Sequence, residues 1–183
     1  MARLTPNDWI RAAARQMATA GVDSVRVERL SKDLKVSKGS FYWHFSDRAA
    51  LLAAVLTTWE QDSTLAVIAD LERHDEDPKL KLWALFEEAF GAPAEHDALE
   101  AAIRTWASRD DVVKKVVRRV DRRRLRFVSD LLSAAGLPPA EASRRAELLY
   151  CALIGESVRR TYGQAKLSRK GLRSLHSMLL MGT

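Results

Sequence analysis

The chain has 183 residues, of which 47% are hydrophobic and 30% are charged, a composition typical of a folded domain rather than a disordered segment. It contains no uncharged apolar run of about 18 residues, which argues against a membrane-spanning helix. The start of the chain lacks the apolar segment of a signal peptide and Cys151 is the only cysteine, so we expect a cytoplasmic protein without disulfides.

Positive charge is concentrated at the amino-terminal end of the chain. The net charge of the whole chain is +6, and residues 1–50 hold nine Lys and Arg against five Asp and Glu, a difference of +4. A basic end of this kind suits the phosphate backbone of a nucleic acid.

Apolar residues recur at helical spacing along most of the chain, and convincing strand alternation is absent. A first helix is predicted to begin at Thr5, where Pro6 fits the first turn and Asp8 completes a capping box, and to end at Gly21. The next two predicted helices are very short and cover Val27–Leu34 and Lys38–His44.

The rest of the chain is predicted to form longer helices. A fourth helix is expected from Asp47 to Arg73, with Ser46 as its N-cap and a break at residues 74–78. Further breakers give helices over Leu80–Phe90, Leu99–Ala107, Val112–Ala135, Ala140–Tyr162 and Ser168–Leu180. The predicted fold is therefore all-α, with about nine helices: three short ones followed by a helical bundle.

The two short helices form the informative part of the sequence. Isolated helices below about 12–15 residues are unstable, so these two must pack at a fixed angle. One has an apolar inner face and the second can form another, made respectively of Val27, Leu30 and Leu34, and of Val36, Phe41 and Phe45. The connection of three residues, Lys35–Ser37, matches a helix-turn-helix, whose second helix enters the major groove of DNA.

The second short helix has the side chains that such a role requires. Its remaining surface offers hydroxyls, an ammonium, an imidazole and amphipathic rings, which suit phosphates, base edges and thymine methyls. Gly39 costs about 1 kcal/mol against Ala in a helix, so we expect a close approach there, either to DNA or to the neighbouring helix. Taken alone, a short aromatic helix is more often a piece of core, but the spacing and the basic surroundings favour DNA binding.

The segment Val36–Leu52, VSKGSFYWHFSDRAALL, resembles the signature of the tetracycline-repressor (TetR) family of transcription factors. The resemblance lies in the G-S-x-Y-x-H-F core and in its position along the chain, and it covers residues 5–56 closely. It implies a helix-turn-helix DNA-binding domain over residues 1–48. Residues 49–183 would then form a regulatory domain that binds a small molecule and dimerises.

The resemblance also implies individual roles. Tyr42 and His44 would contact the DNA backbone, Arg48 would reach a phosphate, and Trp43 would lie at the protein–DNA surface or brace it. The candidate DNA-binding residues are Arg26, Ser37, Lys38, Gly39, Ser40, Tyr42, Trp43, His44 and Arg48.

Two positions depart from the family pattern. Lys35 stands where glycine is commoner, and a left-handed lysine there would cost about 1–2 kcal/mol. Val25 stands where a Thr or Ser often caps the second helix, and Ser24 is the expected substitute cap.

For the regulatory region the resemblance implies a small-molecule effector and no other cofactor or metal. The candidate ligand-binding residues are Trp59, Trp83, Phe86, Phe90, Arg104, Trp106 and Phe127. Each of the aromatic residues, taken singly, is more readily explained as ordinary core. Asp121 could pair with Arg104 or Arg124, which leaves a structural ion pair and an arginine that binds an acidic effector as alternatives.

The resemblance further implies that the last two helices pair in a homodimer. Their apolar stripes are compatible with a four-helix interface, although the same stripes could face the subunit's own core. They consist of Ala142, Ala146, Leu149, Tyr150, Leu153 and Ile154 in one helix and of Leu172, Leu175, Leu179 and Leu180 in the other.

The sequence thus predicts a repressor that binds a palindromic operator and is released by an effector. An enzyme is not expected, because the four histidines are scattered and no phosphate loop, carboxylate pair or metal-ligand spacing occurs. The alternative is a helical module that binds acidic partners, without reading DNA sequence. Its basic surface would be Lys114, Lys115, Arg118, Arg119, Arg122, Arg123 and Arg126.

Overall fold

The computed structural model describes residues 4–73 and 76–182, and all regular structure in these residues is helical. The helices are α1 (Pro6–Ala20), α2 (Val27–Asp33), α3 (Lys38–Tyr42), α4 (Arg48–Glu60), α5 (Ala66–Arg73), α6 (Pro78–Gly91), α7 (Ala94–Ala107), α8 (Asp111–Ala134), α9 (Pro139–Thr161) and α10 (Arg169–Leu179). A short 3₁₀ turn covers Val22–Ser24, and a π-helical turn, Gln61–Leu65, joins α4 to α5. The predicted all-α fold is confirmed.

The two ends of α1 show how local chemistry sets the helix boundaries. The Asp8 carboxylate accepts hydrogen bonds from the Thr5 amide at 2.8 Å and from the Thr5 hydroxyl at 2.7 Å, as the capping box predicts. These hydrogen bonds hold the pKa of Asp8 below its usual value. At the other end, Gly21 takes a φ of +76°, which confirms the predicted stop.

Two predicted caps are wrong. The cap of α4 is Asp47 rather than Ser46, because the Asp47 carboxylate accepts the amide of Ala50 at 2.8 Å. The hydroxyl of Ser24 does not cap α2, since it donates to the carbonyls of Gln16 and Gly21 at 2.9 and 2.7 Å. Arg26, the N-cap residue of α2, makes no side-chain capping hydrogen bond.

The predicted fourth helix is continuous from α4 to α5 but contains the π turn, in which the backbone accommodates an extra residue. The break predicted at 74–78 includes two positions, 74 and 75, that lie outside the described residues. Helix α7 begins at Ala94, five residues earlier than predicted. Among the described residues, no helix is both long and apolar enough to cross a membrane.

The chain divides into two compact units. Among the described residues, the first comprises 4–62 and 98–117, and the second comprises 63–73, 76–97 and 118–182. The domain boundary at residue 48 stays a prediction. In the first unit α1 packs on α4, and Trp9, Met17, Leu30, Phe41 and Leu51 are fully buried.

The core of the second unit lies between α6, α8, α9 and α10. Leu82, Phe86 and Leu132 are almost inaccessible to solvent there. The predicted stripe residues Ala142, Ala146, Leu149, Leu172 and Leu179 belong to this core. For these residues, the alternative that the stripe faces the subunit's own core is confirmed.

A buried ion pair ties distant parts of the second unit together. Arg160 of α9 donates to Asp97 at 2.5 Å and to the carbonyl of Phe90 at 2.9 Å, and both charged side chains are less than a tenth exposed. Removal of either partner would leave the other charge buried and unpaired, which is strongly unfavourable. The pair therefore holds α9 against the segment that follows α6.

The turn between α2 and α3 contains a strained residue, as the sequence predicts. Lys35 has a φ of +56°, and among the described residues it is the only non-glycine with positive φ. Left-handed backbone brings the Cβ of an L-residue close to the following carbonyl oxygen.

Lys35→Gly is therefore expected to raise the free energy of unfolding by about 0.5–1 kcal/mol, because glycine adopts this conformation without the steric cost. Urea denaturation measures the change. The matched control is Lys32→Gly in α2, which should lower stability by about 1 kcal/mol because its backbone is helical. A loss of stability in Lys35→Gly would contradict the strain assignment.

Candidate nucleic-acid interface

The α2–turn–α3 segment is held in place by one buried ring. Phe41 is fully buried and meets Trp9 of α1 edge-on, with ring centroids 5.3 Å apart. It also stacks on Phe45 at 5.7 Å. The amide of Val36 donates to the carbonyl of Ser31 at 2.9 Å, which closes the turn. These contacts fix the position of α3 on the first unit.

The predicted inner faces of the two short helices are close to those observed. Leu30 is fully buried like Phe41, and the other four predicted residues are half-buried: Val27, Leu34, Val36 and Phe45. The helix-turn-helix packing derived from the sequence is present in the structure.

The opposite side of α3 presents large aromatic rings to solvent. Tyr42 is 61% exposed and Trp43 is 78% exposed. Ser37, Lys38 and Gly39 are exposed as well, and Ser40 and His44 are half-buried. The structure therefore brings seven of the nine predicted DNA-binding residues onto one five-residue helix and its two flanks. Exposed amphipathic rings beside hydroxyls and a lysine suit phosphates and base edges.

Gly39 has no role in the packing of its own chain. A Cβ built on Gly39 would meet only the Oγ of Ser37, at 3.6 Å, an ordinary van der Waals distance. A close approach to the neighbouring helix, one of the two reasons predicted for this glycine, is therefore excluded. The open space remains available to an external molecule.

Lys38 is held by a carboxylate of α2. Its Nζ lies 2.8 Å from Oε1 of Glu28, and both side chains are more than half exposed. The hydrogen bond from Lys38 holds the pKa of Glu28 below its usual range, so Glu28 is ionised at neutral pH.

Arg48 and Arg26, the remaining two predicted residues, lie off α3. Arg26 is exposed just before α2. The guanidinium of Arg48 donates from Nε to the carbonyl of Val25 at 2.6 Å and from Nη2 to that of Val22 at 2.5 Å. In this structure Arg48 thus ties the start of α4 to the segment that leads into α2.

The candidate ligand-binding residues fall into two groups. In the first unit, the Trp59 indole donates to Glu100 at 2.9 Å and Arg104 pairs with the same carboxylate at 2.8 Å, while Trp106 is half-buried. In the second unit, one hydrophobic cluster contains Trp83, Phe86, Phe90 and Phe127. Packing and internal hydrogen bonds account for the contacts of both groups.

A polar network in the second unit surrounds Arg124. Its guanidinium donates to Oγ1 of Thr64 and to Oγ of Ser63, each at 2.9 Å, in the π turn. The hydroxyl of Tyr150 donates to Asp121 at 2.6 Å and lies 3.5 Å from Arg124. Sequence reasoning missed the roles of Ser63, Thr64 and Tyr150, because only the fold brings α8, α9 and this turn together.

Comparisons with known proteins agree with this geometry. The family model of the bacterial regulatory proteins of the TetR family matches residues 10–55. Over 55 residues, the chain is 40% identical to the class A tetracycline repressor protein from transposon 1721 of Escherichia coli. That segment is 30% of this chain and 26% of the repressor, so the similarity spans about a quarter of the relative's length.

Solved structures extend the likeness to the whole fold. A transcriptional regulator from Rhodococcus sp. Rha1 superposes with a TM-score of 0.78 at 23% identity, over 97% of this chain and 94% of that one. A protein from Saccharomonospora viridis, solved in complex with choline, has a TM-score of 0.76 at 15% identity, over 95% and 92%. At these identities the likeness concerns the fold alone.

The Arg48 contacts generate a stability prediction. Arg48→Met keeps the aliphatic stem but loses both hydrogen bonds, and hydrogen bonds to charged groups contribute about 1.5–3 kcal/mol each. We expect the free energy of unfolding to fall by about 2 kcal/mol in urea denaturation. The control, Arg29→Met on the exposed side of α2, should stay within about 0.5 kcal/mol of the wild type. Equal effects in the two variants would show that the carbonyl contacts contribute nothing specific.

Proposed function

We propose that this chain, whose residues 10–55 match the family model of the TetR bacterial regulatory proteins, is a DNA-binding transcriptional regulator. It acts by binding rather than by catalysis. It reads a pseudo-palindromic operator as a homodimer, and a small-molecule effector releases it. The observation that carries the proposal is the contrast within α3, where Phe41 is fully buried while Tyr42 and Trp43 are left in solvent.

That contrast supports a recognition helix for a physical reason. Exposure of large aromatic rings to water is unfavourable, and contiguous exposed apolar surface commonly marks a binding site. A buried anchor in the same helix fixes the direction of these rings before any partner arrives, which lowers the ordering cost of binding. The buried Phe41 and the exposed Tyr42 and Trp43 therefore both favour the binding of a partner at α3.

The side chains divide into positioning and reading groups in this proposal. Tyr42 and His44 contact the phosphate backbone, and Arg26 adds a cation beside it. Ser37, Lys38 and Ser40 face base edges in the major groove, where hydroxyls and ammonium groups discriminate between bases. Trp43 covers the sugar–phosphate surface. Arg48 acts as a positioning residue through its bonds to the segment before α2.

The dimer is proposed to form through α9 and α10. Leu148, Val158 and Tyr162 are 68%, 42% and 78% exposed, and with Cys151 and Gly155 they recur at the alternating three- and four-residue spacing of a helix–helix seam. On α10, Met178 is 63% exposed. A second copy of the chain covers this stripe in a two-fold arrangement, which sets two reading helices about 34 Å apart.

The effector is proposed to act on the helical region after α4. The protein from Saccharomonospora viridis holds choline, which is an example of a small ligand on this fold. In this chain, effector and DNA oppose one another with a coupling of about 1–3 kcal/mol. The π turn held by Arg124 directly follows α4, so an effector that changes this network alters the end of that helix.

The deciding experiment selects bound sequences from random duplexes and then titrates them by fluorescence anisotropy at several salt concentrations. We expect a palindromic operator, a steep salt dependence, and loss of operator binding in Tyr42→Ala. The matched control is the triple variant Arg118→Ala, Arg122→Ala and Arg126→Ala, which removes exposed charge from α8 and should retain the operator. The reverse pattern, with binding lost only in the control, would establish the acidic-partner module instead.

The Gly39→Ala variant tests whether the glycine at this position serves folding or DNA binding. The alanine meets no crowded atom, so the free energy of unfolding should rise by about 0.5–1 kcal/mol. Operator affinity should nevertheless fall at least about tenfold, because the added methyl blocks the approach of DNA to the backbone. Gly171→Ala in α10, which also lacks a crowded contact, should raise stability without changing affinity. Unchanged operator affinity in Gly39→Ala would remove the close-approach argument.

Leu148→Asp tests the dimer. A carboxylate buried in an apolar interface is strongly unfavourable, and two-fold symmetry introduces it twice. The dimer dissociation constant, measured by analytical ultracentrifugation, should rise at least about a hundredfold. Ser143→Asp, exposed on another side of α9, is the control and should leave the dimer intact. An unaffected dimer in Leu148→Asp would place the interface elsewhere.

A further inference from the structure

Helix α2 ends in a hydrogen-bonded turn that requires left-handed backbone at one position. The amide of Lys35 donates to the carbonyl of Lys32 at 3.1 Å, and the amide of Val36 donates to the carbonyl of Ser31 at 2.9 Å. These two hydrogen bonds form a Schellman motif, in which the residue after the C-cap adopts a positive φ. That residue is Lys35, with a φ of +56°. Glycine is the usual residue there, because it has no Cβ to crowd the following carbonyl oxygen.

Elsewhere the chain uses glycine for this kind of backbone. Among the described residues, the other positive φ values belong to Gly21, Gly136, Gly163 and Gly182. Lys35 is the exception, and its steric strain lowers the stability of the fold. Strained residues concentrate at functional sites, where the side chain contributes something that an unstrained residue would not.

The side chain of Lys35 does not stabilise the fold in return. It is exposed, and within the part of the chain that the structure describes its ammonium makes neither a hydrogen bond nor an ion pair. The nearby Lys38 differs, since its ammonium lies 2.8 Å from the Glu28 carboxylate. Lys35 therefore presents an unpaired cation to solvent, from a turn whose path is fixed by backbone hydrogen bonds.

The turn places this cation beside the proposed recognition helix. Two residues, Val36 and Ser37, separate Lys35 from Lys38, where α3 begins. Ser37, Lys38 and Gly39 are exposed, so the outer surface of the turn continues into that of α3. The first residues of a recognition helix approach base edges in the major groove. We therefore expect the turn just before them to lie near the phosphates that border the groove.

The chemistry of the Lys35 side chain favours a phosphate as its partner. A lysine ammonium is a compact point charge on a flexible stem, so it can follow an anion without a fixed geometry. Phosphates are present along every duplex, whatever its sequence. A lysine that neutralises one of them releases counterions and adds affinity that carries no sequence information.

We propose that Lys35 is an additional phosphate-binding residue of the DNA interface, and that this contact is the reason for a lysine at a position where the backbone favours glycine. The inference rests on the proposed function and extends it, because it adds a binding residue from the turn. Lys35 contacts the backbone of the operator and of other duplexes alike. It raises the affinity for DNA and leaves the choice of sequence to α3.

The test is Lys35→Gln, which removes the charge but keeps a side chain on the left-handed backbone. Loss of one phosphate contact should lower the slope of log affinity against log salt by about 0.9, so that affinity falls about eightfold at about 0.1 M salt. An eightfold change corresponds to about 1.2 kcal/mol. The fall should be the same for the operator and for a duplex without it. Lys35→Arg retains the charge and should keep both affinity and slope.

Lys35→Gly separates binding from folding. Glycine removes the charge and the strain together, so the eightfold loss of affinity should accompany a higher midpoint of urea denaturation. Poor folding cannot explain weaker binding in a variant that is more stable than the wild type. The control is Lys170→Gln, which removes an exposed lysine charge from α10 and should leave affinity and salt slope unchanged.

Neutral phosphate analogues distinguish a direct contact from a general loss of positive charge. The probes are operator duplexes that each carry one methylphosphonate in place of a phosphate. The wild type should lose affinity at every contacted position. Lys35→Gln should show no further loss at one of these positions in each half-site, because its contact there is already absent.

The possible outcomes separate this inference from the function on which it rests. A wild-type protein that selects no operator overturns both. If the wild type selects an operator and Lys35→Gln keeps its affinity and salt slope, only the role of Lys35 is overturned. The same conclusion follows if the loss differs between the operator and other DNA, or if Lys35→Gln responds to every methylphosphonate as the wild type does.

Discussion

The contact between Trp9 and Phe41 is the constraint on which the exposed surface of α3 depends. Helices of seven and five residues, such as α2 and α3, do not persist in water by themselves. The edge-on packing of these two rings, with centroids 5.3 Å apart, supplies the missing stability. It also fixes the rotation of α3 about its axis. Tyr42 and Trp43 point outward because the residue before them points inward.

Local backbone preference is overridden at two places near this contact. Lys35 adopts a left-handed conformation that glycine would adopt more easily, and Gly39 occupies a helical position that alanine would fill more stably. The strain at Lys35 is tolerated because the buried residues on both sides of the turn determine its path. At Gly39 the open space lies on the outer side of α3, where a bound partner would be. Local inconsistencies of this kind are expected at functional or strained sites.

The sequence predicts most of the features that depend on nearby residues. The bounds of α1, α8 and α9 lie within one residue of those predicted, and those of α1 follow from Pro6 and Gly21, since caps and breakers act within one turn. The helix-turn-helix faces follow from apolar spacing. The π turn was not predicted, because its residues Ser63 and Thr64 are held by Arg124, some 60 positions away. The ligand-binding candidates rest on residue type, which does not separate a pocket from a packed core.

The Arg160–Asp97 pair has a consequence for the order in which the chain acquires its structure. It joins residues 63 positions apart, whereas α1 to α4 make their main contacts within the first 60 residues. Closing a longer loop costs more chain entropy, and folding rates fall as the mean separation of contacting residues grows. We therefore expect α1 to α4 to form early, from neighbours along the chain. The Arg160–Asp97 pair is expected to form later, so that Arg160 still lacks its carboxylate partner when α2 and α3 are in place.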